Sequence, residues 1–544
     1  MSEITDILDR KKRLKSSRSV WENHWQDLAE VMLPKRADFT VTRTAGEKRT
    51  EKQFDGVPMQ AARGLASAID AMIKPKTQRW FSVKAEDEAL NEDGEVKGWL
   101  RAAEDLLFDA FYEPASRFLQ RTAEVDLDLV VFGTACLFVG ERENGRGLLF
   151  SSCPLNGTYI AENAEGTVDT AYRCQNFTAR QAAQKFGDDN IGRLTREAIE
   201  RGKDPDRTFE FVQVIQPRKE RDRSRRDSRN LPFSSVVIDV ESEHKVGESG
   251  FHEFPLVVPR WDTATGEVYG RSPGMLALPD VNTLHQMGKT ILEAGHKAVN
   301  PPWLVPNDGI ASSPRTFPGG ITPYDASLLQ LTGGRPPMTP LISGADIPLG
   351  REMQNDIREQ VWSAFFRNVL QLPFAGPQMT ATEILERKAE FMRVIGPTFG
   401  RLEADYTGPM VERGFMVLLR AGAFPDPPEA LQGRGIKFEY ASPIAKAQRQ
   451  IDAAAMAKTA EDIAPLIQLN PALMDNFDDD KITREISEAN GLPQDWLRPV
   501  EARDQLRQQR AQAQQAEAQM QAVERLAPVA KDGAAALKAV TEQA

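Results

Sequence analysis

The sequence predicts an α+β protein that is mainly helical, and two features of its hydrophobic pattern predict this. Apolar residues recur with the 3.6-residue period of an α-helix through residues 20–132 and again from residue 280 onwards. Between residues 134 and 240 they form short runs rich in β-branched and aromatic side chains, separated by turn residues. Because 544 residues exceed what one hydrophobic core usually supports, we expect more than one packed region.

Four helices are predicted in the N-terminal quarter of the chain. The first covers residues 20–32 and ends before Pro34, because proline cannot continue a helix. The second, Met59–Ile73, is rich in small residues that let a partner helix approach closely, which indicates a helix in the core. The other two cover about Gly98–Tyr112 and Arg117–Phe132.

Short strands follow between residues 134 and 240. The basic segment Arg218–Asn230 joins two of them and allows two interpretations: a nucleic-acid-binding patch or a solvated hairpin connection. Glu220, Asp222 and Asp227 lie among its basic residues, and this mixed charge favours the hairpin connection. The predicted strands include Leu148–Phe150, Val168–Tyr172, Phe209–Ile215 and Ser235–Val240.

Two long helices come next, separated by a segment rich in proline and glycine. The first covers about Asp280–Val299, with Asp280 as its N-cap. A stripe of apolar and small residues follows one side of this helix. On its other side Lys289, Glu293 and Lys297 alternate in charge at a spacing of four residues, which is typical of a solvated helix face.

The second long helix covers about Leu349–Leu370, and the segment before it is expected to be irregular or short-stranded. A loop follows, and Thr380–Glu383 forms a capping box that opens another long helix. Pro397 is expected to kink that helix before it continues towards Arg420. The last hundred residues are predicted to be helical, and their Ala/Gln-rich tail, residues 504–527, is either a helix or a frayed end.

The charge balance limits what the protein binds. Its 79 acidic and 68 basic side chains give a formal net charge of −11, whereas tight DNA binders are usually basic. Contact with nucleic acid is therefore expected to be local, weak or sliding. The cysteines Cys136, Cys153 and Cys174 show no CxxC spacing, which predicts free or buried thiols in a reducing cytoplasm. No signal peptide and no membrane span is predicted, so we expect a soluble protein.

Two motifs suggest enzymes, and each fails on its chemistry. Gly270–Gly274 matches the GxSxG pattern of hydrolases, but Pro273 follows the serine and has no N–H to act as an oxyanion donor. Gly288–Thr290 resembles the end of a phosphate-binding loop, but Thr283 stands where that pattern requires glycine. The same segment also lies within a predicted helix. The sequence therefore predicts no catalytic residue.

No metal or cofactor site is predicted either. His285 and His296 would share a helix face but lie about 16 Å apart at 1.5 Å per residue, too far apart to bind one metal ion. Asp478–Asp480 is a carboxylate cluster that we expect to be a solvated acidic loop. The histidines of the chain are His24, His244, His252, His285 and His296.

Several blocks of sequence carry a resemblance to a known family. They are Asp55–Phe81, Glu253–Trp261, Gly266–Gly274, Ala277–Asp280, Pro301–Val305, Met379–Ile384, Gly396–Leu402 and Tyr440–Arg449. Taken together and in this order, they resemble the head-to-tail connecting (portal) proteins of short-tailed bacteriophages over roughly residues 15–500. Each block alone is a weak signal, whereas their shared order is specific.

The resemblance implies a portal fold, with an α/β wing, a two-helix stem, a clip insert and a helical crown in each subunit of a ring. Such rings are usually dodecameric and lie at one vertex of the capsid. The succession of helix, insert and helix in this sequence fits that layout. The implied parts are a mixed helical and β wing (1–274), the first stem helix (275–300), the clip (301–348), the second stem helix (349–371), a tunnel loop (372–379), a kinked wing helix and return (380–440), the crown (441–500) and an Ala/Gln-rich tail (501–544) that is a barrel or disordered.

The resemblance further implies that double-stranded DNA passes through the ring. A channel through which DNA slides in both directions must not bind the phosphates strongly, because strong binding would stop the DNA. The net negative charge of the chain fits this requirement. The candidate channel-facing cations are Lys289 and Lys297, for which a salt bridge with Glu293 at a face between subunits is an equal alternative. For Phe374, a role as an anchor for packing between subunits is an equal alternative to a position that faces the channel. The candidate tunnel-loop residues are Pro373, Phe374, Ala375, Gly376, Pro377 and Gln378.

The implied role is that of a virion component, made in the host cytoplasm, through which viral DNA is packaged and later ejected. Its implied partners are further copies of itself, the capsid, a tail adaptor and a terminase motor, with no cofactor and no membrane insertion. A packaging-associated enzyme, either an ATPase or a hydrolase, is one alternative, and the failed motifs argue against it. A second alternative is another ring or adaptor protein of the virion, but such adaptors are usually shorter chains.

Overall fold

A computed structural model describes most of the chain. It describes residues 3–300 without positions 43, 45, 143–144, 146, 201–203, 223 and 226, then 301, 303–304, 339–340, 346–367 and 396–440, and finally 455–456, 458–459, 463, 465, 478–489 and 503–516. The protein is a mixed helix and sheet structure, as the hydrophobic pattern predicts. It divides into two compact units, Met1–Pro443 and Ile444–Ala544.

The helices and strands agree with most of the predicted elements. The helices are α1 Glu3–Ser17, α2 Ser19–Met32, α3 Val57–Ile73, α4 Gly94–Tyr112, α5 Phe118–Phe132, α6 Ala179–Phe186, α7 Arg193–Glu200, α8 Pro273–Val299, α9 Ile347–Ala364, α10 Gly408–Arg420 and α11 Asp479–Ala489. The strands are β1 Phe81–Ala85, β2 Leu137–Glu141, β3 Leu148–Ser152, β4 Thr158–Glu162, β5 Val168–Thr178, β6 Thr208–Pro217, β7 Phe233–Asp239, β8 His244–Phe251, β9 Leu256–Val257, β10 Trp303–Leu304, β11 Thr339–Pro340 and β12 Ile436–Tyr440. The four predicted N-terminal helices are α2–α5, and the predicted strands correspond to β3, β5, β6 and β7, with Val240 lying one residue beyond the end of β7.

Strands β4 to β8 form a five-stranded antiparallel sheet in sequential order. Successive side chains of a strand point to opposite faces, and β6 is apolar on both. Phe209 and Phe211 pack with α6 and the residues around α7 on one face. Val212 and Val214 pack with α1 on the other face. The sheet is therefore covered by helices on both sides. The smaller sheets are β3-β2-β9, β1-β12 and β10-β11, all antiparallel.

A fully buried arginine fixes the junction between α1 and α2. The Arg18 guanidinium pairs with Glu22 at 2.7 Å and donates to the backbone carbonyl oxygens of Leu155 and Thr158. It also lies 3.9 Å from the ring centroid of Tyr159, a cation–π distance. These contacts satisfy a buried charge and attach the N-terminal helices to the sheet that follows in sequence.

The first long helix begins seven residues before its predicted N-cap, Asp280. Its true N-cap is Ser272, whose side chain accepts a hydrogen bond from the Met275 N–H at 2.9 Å, and Pro279 lies inside the helix. Pro279 removes only one backbone hydrogen bond. The first turn is held by close packing instead, since a Cβ at Gly274 would lie 2.9 Å from the Val131 carbonyl oxygen. The prediction of Asp280 as N-cap is therefore wrong.

The second long helix and the helix after it also differ from the prediction. Helix α9 ends at Ala364, six residues before the predicted end at Leu370, and Phe366 has a φ of 59°. Before α10 a π-helical turn, Glu403–Thr407, interrupts the helix that is predicted to run from Pro397 towards Arg420. Pro409 explains this turn, because it has no N–H for a regular helical bond to the preceding turn. The predicted capping box at Thr380 lies outside the described residues.

In the second unit, the carboxylate cluster lies at a helix N-terminus and not in the predicted loop. Asp478 accepts from the Lys481 N–H at 3.0 Å, and α11 begins at Asp479. Asp480 pairs with Arg503 at 3.0 Å and with Arg507 at 2.5 Å. Acidic side chains stabilise a helix N-terminus, which the loop prediction overlooked. Residues 503–516 of the Ala/Gln-rich tail are helical.

Candidate functional site

The candidate site is the pair of long helices α8 and α9, which the family resemblance places along a channel. A Cβ at Gly288 would lie 3.4 Å from Nε2 of Gln354, and one at Gly350 would lie 3.3 Å from the Ile291 side chain. Because the earlier residue of α8 meets the later residue of α9, the two helices are antiparallel. The predicted helix–insert–helix order therefore folds as a helical hairpin, and β10 and β11, between the two helices in sequence, pair with each other.

A loop from the N-terminal part of the chain is fixed to this hairpin by a histidine of α8. The backbone N–H groups of Phe54 and Asp55 both donate to Nδ1 of His285, at 3.0 and 3.2 Å. An accepting Nδ1 carries no proton, so the imidazole is neutral and its proton lies on Nε2. Burial lowers the pKa of His285, while the carboxylate of Asp55 opposes this shift.

The same loop binds the second helix of the hairpin. The Asp55 side chain is only 3% exposed, and its carboxylate accepts from Nε of Arg358 at 2.9 Å and from Nε2 of Gln354 at 3.2 Å. It also accepts from the Val57 N–H at 2.9 Å, at the start of α3. We call Phe54, Asp55, His285, Gln354 and Arg358 the latch, because they join one loop to both helices of the hairpin.

The two lysines predicted to face a channel lie on the exposed side of α8. Lys289 and Lys297 are both exposed, and so is Glu293 between them. Among the described residues of the chain, neither lysine has an ion-pair partner. A salt bridge with Glu293 within one subunit is therefore not formed, while their position in a channel or between subunits stays a prediction.

The predicted tunnel-loop residues Pro373, Phe374, Ala375, Gly376, Pro377 and Gln378 lie outside the described residues. Their predicted place in the channel is neither supported nor opposed by the geometry of α8 and α9. The described chain stops at residue 367, three residues beyond the end of α9, and resumes at residue 396.

The two enzyme-like motifs have structural roles. Besides capping α8, the hydroxyl of Ser272 donates to the Val131 carbonyl oxygen at 2.7 Å, so it is engaged in the core. Gly288–Thr290 lies in the middle of α8, and Thr290 donates to the Gln286 carbonyl oxygen of the same helix at 2.9 Å. A helical backbone directs its N–H groups along its own axis and cannot surround a phosphate at this point.

The basic segment 218–230 connects β6 and β7 as a hairpin connection, as its mixed charge predicts. Arg218 pairs with Glu248 at 2.7 Å and donates to the Ser249 carbonyl oxygen at 3.2 Å on β8. Arg225 pairs with Asp222 within the segment at 3.6 Å. Arg218 therefore connects the start of this segment to β8, the edge strand of the sheet.

A buried charge cluster, which the sequence patterns did not indicate, lies beside the π-helical turn. The Lys74 ammonium donates to both carboxylate oxygens of Asp126, at 2.9 and 2.7 Å, and to the Tyr406 hydroxyl at 3.2 Å. Burial raises the pKa of Asp126 to about 6, and Lys74 opposes that rise. These residues are distant in sequence, so no local spacing could have revealed the cluster.

The described parts of the chain carry neither a metal-binding cluster nor a membrane-spanning helix. Nowhere in these ranges do three or more His, Cys, Asp or Glu side chains come together as a metal site requires. Nor is any helix within them both long enough and apolar enough to cross a bilayer. The three cysteines are free thiols, with Cys136 and Cys153 buried.

Comparison with known proteins extends over almost the whole chain. It is 30% identical over 532 residues to the portal protein of Salmonella phage epsilon15, covering 95% of this chain and 93% of the relative. It is 29% identical over 527 residues to the probable portal protein of Bordetella phage BPP-1, with the same coverage. A chain from the neck of an empty GTA particle computed with C6 symmetry matches with a TM-score of 0.39 and 12% identity, over 79% of this chain and 89% of that one.

The family comparison agrees with the resemblance seen in the sequence blocks. Residues 5–497 match the model of the family described as bacteriophage head to tail connecting protein. This match includes the helical hairpin, the latch and the sheet that precedes them. The chain belongs to the bacteriophage head to tail connecting protein family.

Proposed function

We propose that this chain is the portal subunit of a bacteriophage and that its copies form a ring, usually of twelve, around a channel for viral DNA. The match to the connector family over residues 5–497 carries this proposal. The curated relatives over 95% of the chain are named portal or probable portal proteins, which supports the same role. DNA would enter the capsid through the channel during packaging and leave through it during ejection.

The helical hairpin has apolar side chains that a second copy of the chain can cover. Val299 is 88% exposed, and three further residues on α8 and α9 are about half exposed: Leu292, Leu349 and Met353. Exposed apolar surface of this kind is typical of protein–protein contacts. Neighbouring hairpins in a ring would bury these side chains, so we assign α8 and α9 to the stem.

A second face of α8 suits a channel wall. Asn282, Gln286, Lys289, Glu293 and Lys297 are all exposed and recur every three or four residues, so they form one polar stripe. The stripe has few cations and one carboxylate. Weak, mixed electrostatics of this kind let a phosphate backbone slide, because few counterions are exchanged at each step. We infer that Lys289 and Lys297 face the DNA.

The remaining parts of the chain follow from this assignment. We place the wing in residues 1–274, the clip in 301–348 and the tunnel loop in 372–379. The kinked helix and return would cover residues 380–440, and the crown 441–500. The ring would be a structural component of the virion, made in the host cytoplasm and bound to the capsid, a tail adaptor and the terminase motor. Catalysis would belong to the motor and not to this chain.

The proposed stem interface is tested with two substitutions on the hairpin. The double variant Leu292→Asp, Met353→Asp places charges where neighbouring stems would pack, and burial of unpaired carboxylates is unfavourable. We expect rings to be lost in size-exclusion chromatography with light scattering. Leu106→Asp on α4 is the matched control, since Leu106 is also partly exposed but lies outside the hairpin. Rings of normal mass from the double variant would contradict the stem assignment.

A further inference from the structure

Two of the three cysteines lie directly opposite each other at the open end of the β2–β3 hairpin. In this antiparallel pair Leu137 faces Ser152, so Cys136 and Cys153 are the next pair in register. The Cys153 N–H donates to the Cys136 carbonyl oxygen at 2.8 Å, which continues the ladder by one step. Directly opposed residues point to the same face of a sheet, with Cβ atoms roughly 4.5–5.5 Å apart.

The surroundings of the two thiols differ from those of an ordinary buried cysteine. Both residues are 2% exposed, and the Cys153 thiol donates to the Ser151 carbonyl oxygen at 3.7 Å. The neighbouring Cys136 thiol lowers the pKa of Cys153, with further help from the positive charge of Arg173, although burial opposes the shift. The neighbouring Cys153 thiol and burial raise the pKa of Cys136. Cys153 is therefore the better nucleophile, and Cys136 retains its proton.

We propose that Cys136 and Cys153 form an oxidation-sensitive thiol pair that closes a disulfide across the β2–β3 hairpin when a small peroxide reaches it. A hydrogen-bonded antiparallel pair has Cα atoms about 5.5 Å apart, which lies within the range of disulfides. The Cβ atoms need to approach by only about 1 Å to reach disulfide geometry. Cys174 takes no part in this chemistry.

The reaction balances with hydrogen peroxide as the oxidant. The Cys153 thiolate attacks one peroxide oxygen, the O–O bond breaks, and the products are a sulfenic acid on Cys153 and one water molecule after protonation. The sulfur of Cys136 then attacks the sulfur of Cys153. An S–S bond forms, the S–O bond breaks, and the Cys136 proton leaves with the hydroxyl group as a second water molecule. Both thiols are oxidised and one peroxide is reduced.

The position of the hairpin in its sheet gives a small oxidant access. The strand order is β3-β2-β9, so β3 is an edge strand, and Cys153 follows its last residue. Edge strands and strand ends open more readily than central strands. Strand β2 is held from both sides, since it also pairs with β9 and its Val139 carbonyl oxygen accepts from Arg413 at 3.3 Å. Closing the disulfide would therefore fasten β3 to the held strand.

A consequence of this pair rests on the proposed function. A protein that is assembled in a reducing cell and then carried in a released virion meets first a reducing and then an oxidising environment. The thiols would remain reduced during assembly and close after release, which would fasten the hairpin in the particle. The chemistry itself does not depend on the ring or on DNA, so it can fail or succeed separately from the portal assignment.

The test uses the purified full-length chain treated with hydrogen peroxide at neutral pH. We expect titratable thiols under denaturing conditions to fall from three to one, with the intact mass reduced by two hydrogen atoms. Peptide mapping without reductant should join the peptides that contain Cys136 and Cys153, and dithiothreitol should restore all three thiols. In the matched control Cys174→Ser, thiols should fall from two to none.

Two results would overturn the proposal. One is a chain that keeps all three thiols under peroxide concentrations that oxidise a free cysteine peptide. The other is a mass increased by oxygen atoms with no joined peptide, since this would show oxidation of separate thiols. Wild-type chain alone decides between these outcomes, so the test stands even where Cys136→Ser or Cys153→Ser does not fold.

Discussion

Single side chains hold the helical hairpin and the π-helical turn in place. His285 accepts two backbone N–H groups of one loop, and Asp55 of that loop accepts from Gln354 and Arg358. At the turn, Tyr406 meets a buried ion pair. Buried polar groups are costly when a partner is removed, so these few contacts are where single substitutions act most strongly.

Arg358→Gln should loosen the latch. It leaves the Asp55 carboxylate buried with fewer donors, which we expect to cost about 2 kcal/mol because Arg358 itself is partly exposed. The amides of residues 53–57 should then exchange with deuterium roughly thirtyfold faster, measured by mass spectrometry. Arg351→Gln, at an exposed position of α9, should leave this exchange unchanged. Equal exchange in both variants would mean that the ion pair does not hold the loop.

The His285 contact should weaken as the pH falls. The pKa of His285 is lowered in the folded chain, so its contribution is present above about pH 6.5 and is lost as the pH falls through the folded pKa. Protonated Nδ1 cannot accept from Phe54 and Asp55, and the carboxylate of Asp55, which Arg358 also binds, only partly compensates. Exchange of these two amides, corrected for its intrinsic pH dependence, should therefore rise on acidification.

Substitutions of the histidines check this pH dependence. His285→Gln offers an amide oxygen that does not titrate, so its latch amides should lose most of the pH dependence. His296→Gln, on the exposed side of the same helix, should behave as wild type. A His285→Gln variant that keeps the full pH dependence of the wild-type chain would show that His285 is not the titrating group of the latch.

Lys74→Met should destabilise the first unit by about 3–5 kcal/mol, because it leaves the buried Asp126 without its cation. The double variant Lys74→Met, Asp126→Leu removes both charges and should recover part of that loss. The measurement is the thermal unfolding midpoint of each variant. A double variant that is less stable than Lys74→Met would show that the ion pair is not the source of the cost.

At the scale of elements, periodicity predicted the helices and strands that bury one face, and tertiary contacts decided the rest. The predicted start of α8 was wrong because packing of Gly274 holds a turn that Pro279 weakens locally. The π-helical turn follows from Pro409, but nothing in the periodicity distinguishes it from a regular helix. The opposition of Cys136 and Cys153 depends on strand register, which a separation of seventeen residues does not reveal.

The close approach of α8 to the loop that contains Phe54 and Asp55 leads to a prediction at this scale. Gly288→Leu should push the loop away, because even a Cβ at this position would lie 3.2 Å from Cβ of Phe54 and 3.3 Å from its carbonyl oxygen. We expect a lower melting temperature and proteolysis near residue 54. Gly295→Ala has no atom within 4 Å of its new Cβ and should stabilise the helix by about 0.5–1 kcal/mol. Normal protease resistance of Gly288→Leu would refute this contact.

At the scale of the whole molecule, the order of sequence blocks predicted the family, while the division of the chain into wing, stem, clip and crown stays a prediction. The latch could not be predicted, because its residues come from three segments of the chain that only the fold brings together. The polarity of Lys289 and Lys297 was visible as a charge pattern, but which surface of a ring they face depends on neighbouring subunits that a single sequence does not describe.

The tunnel loop is best tested in the assembled particle. Replacing Phe374 and Gln378 by Glu would place negative charges along the proposed path of the DNA, where they repel phosphates. We expect rings to form normally while packaging or retention of DNA decreases, measured as protected DNA per particle. As a control, Ser228→Glu adds a negative charge at an exposed position in the hairpin connection of the sheet and should have no effect. Full packaging by the loop variant would remove the loop from the mechanism.

The most direct test of the portal assignment is electron microscopy of the purified chain, with subunits counted in top views. We predict closed rings, usually of twelve subunits, with a central hole wide enough for duplex DNA. A monomer or a compact dimer at every salt and protein concentration tried would contradict the ring channel, and an enzymatic role would then have to be tested by ATP turnover.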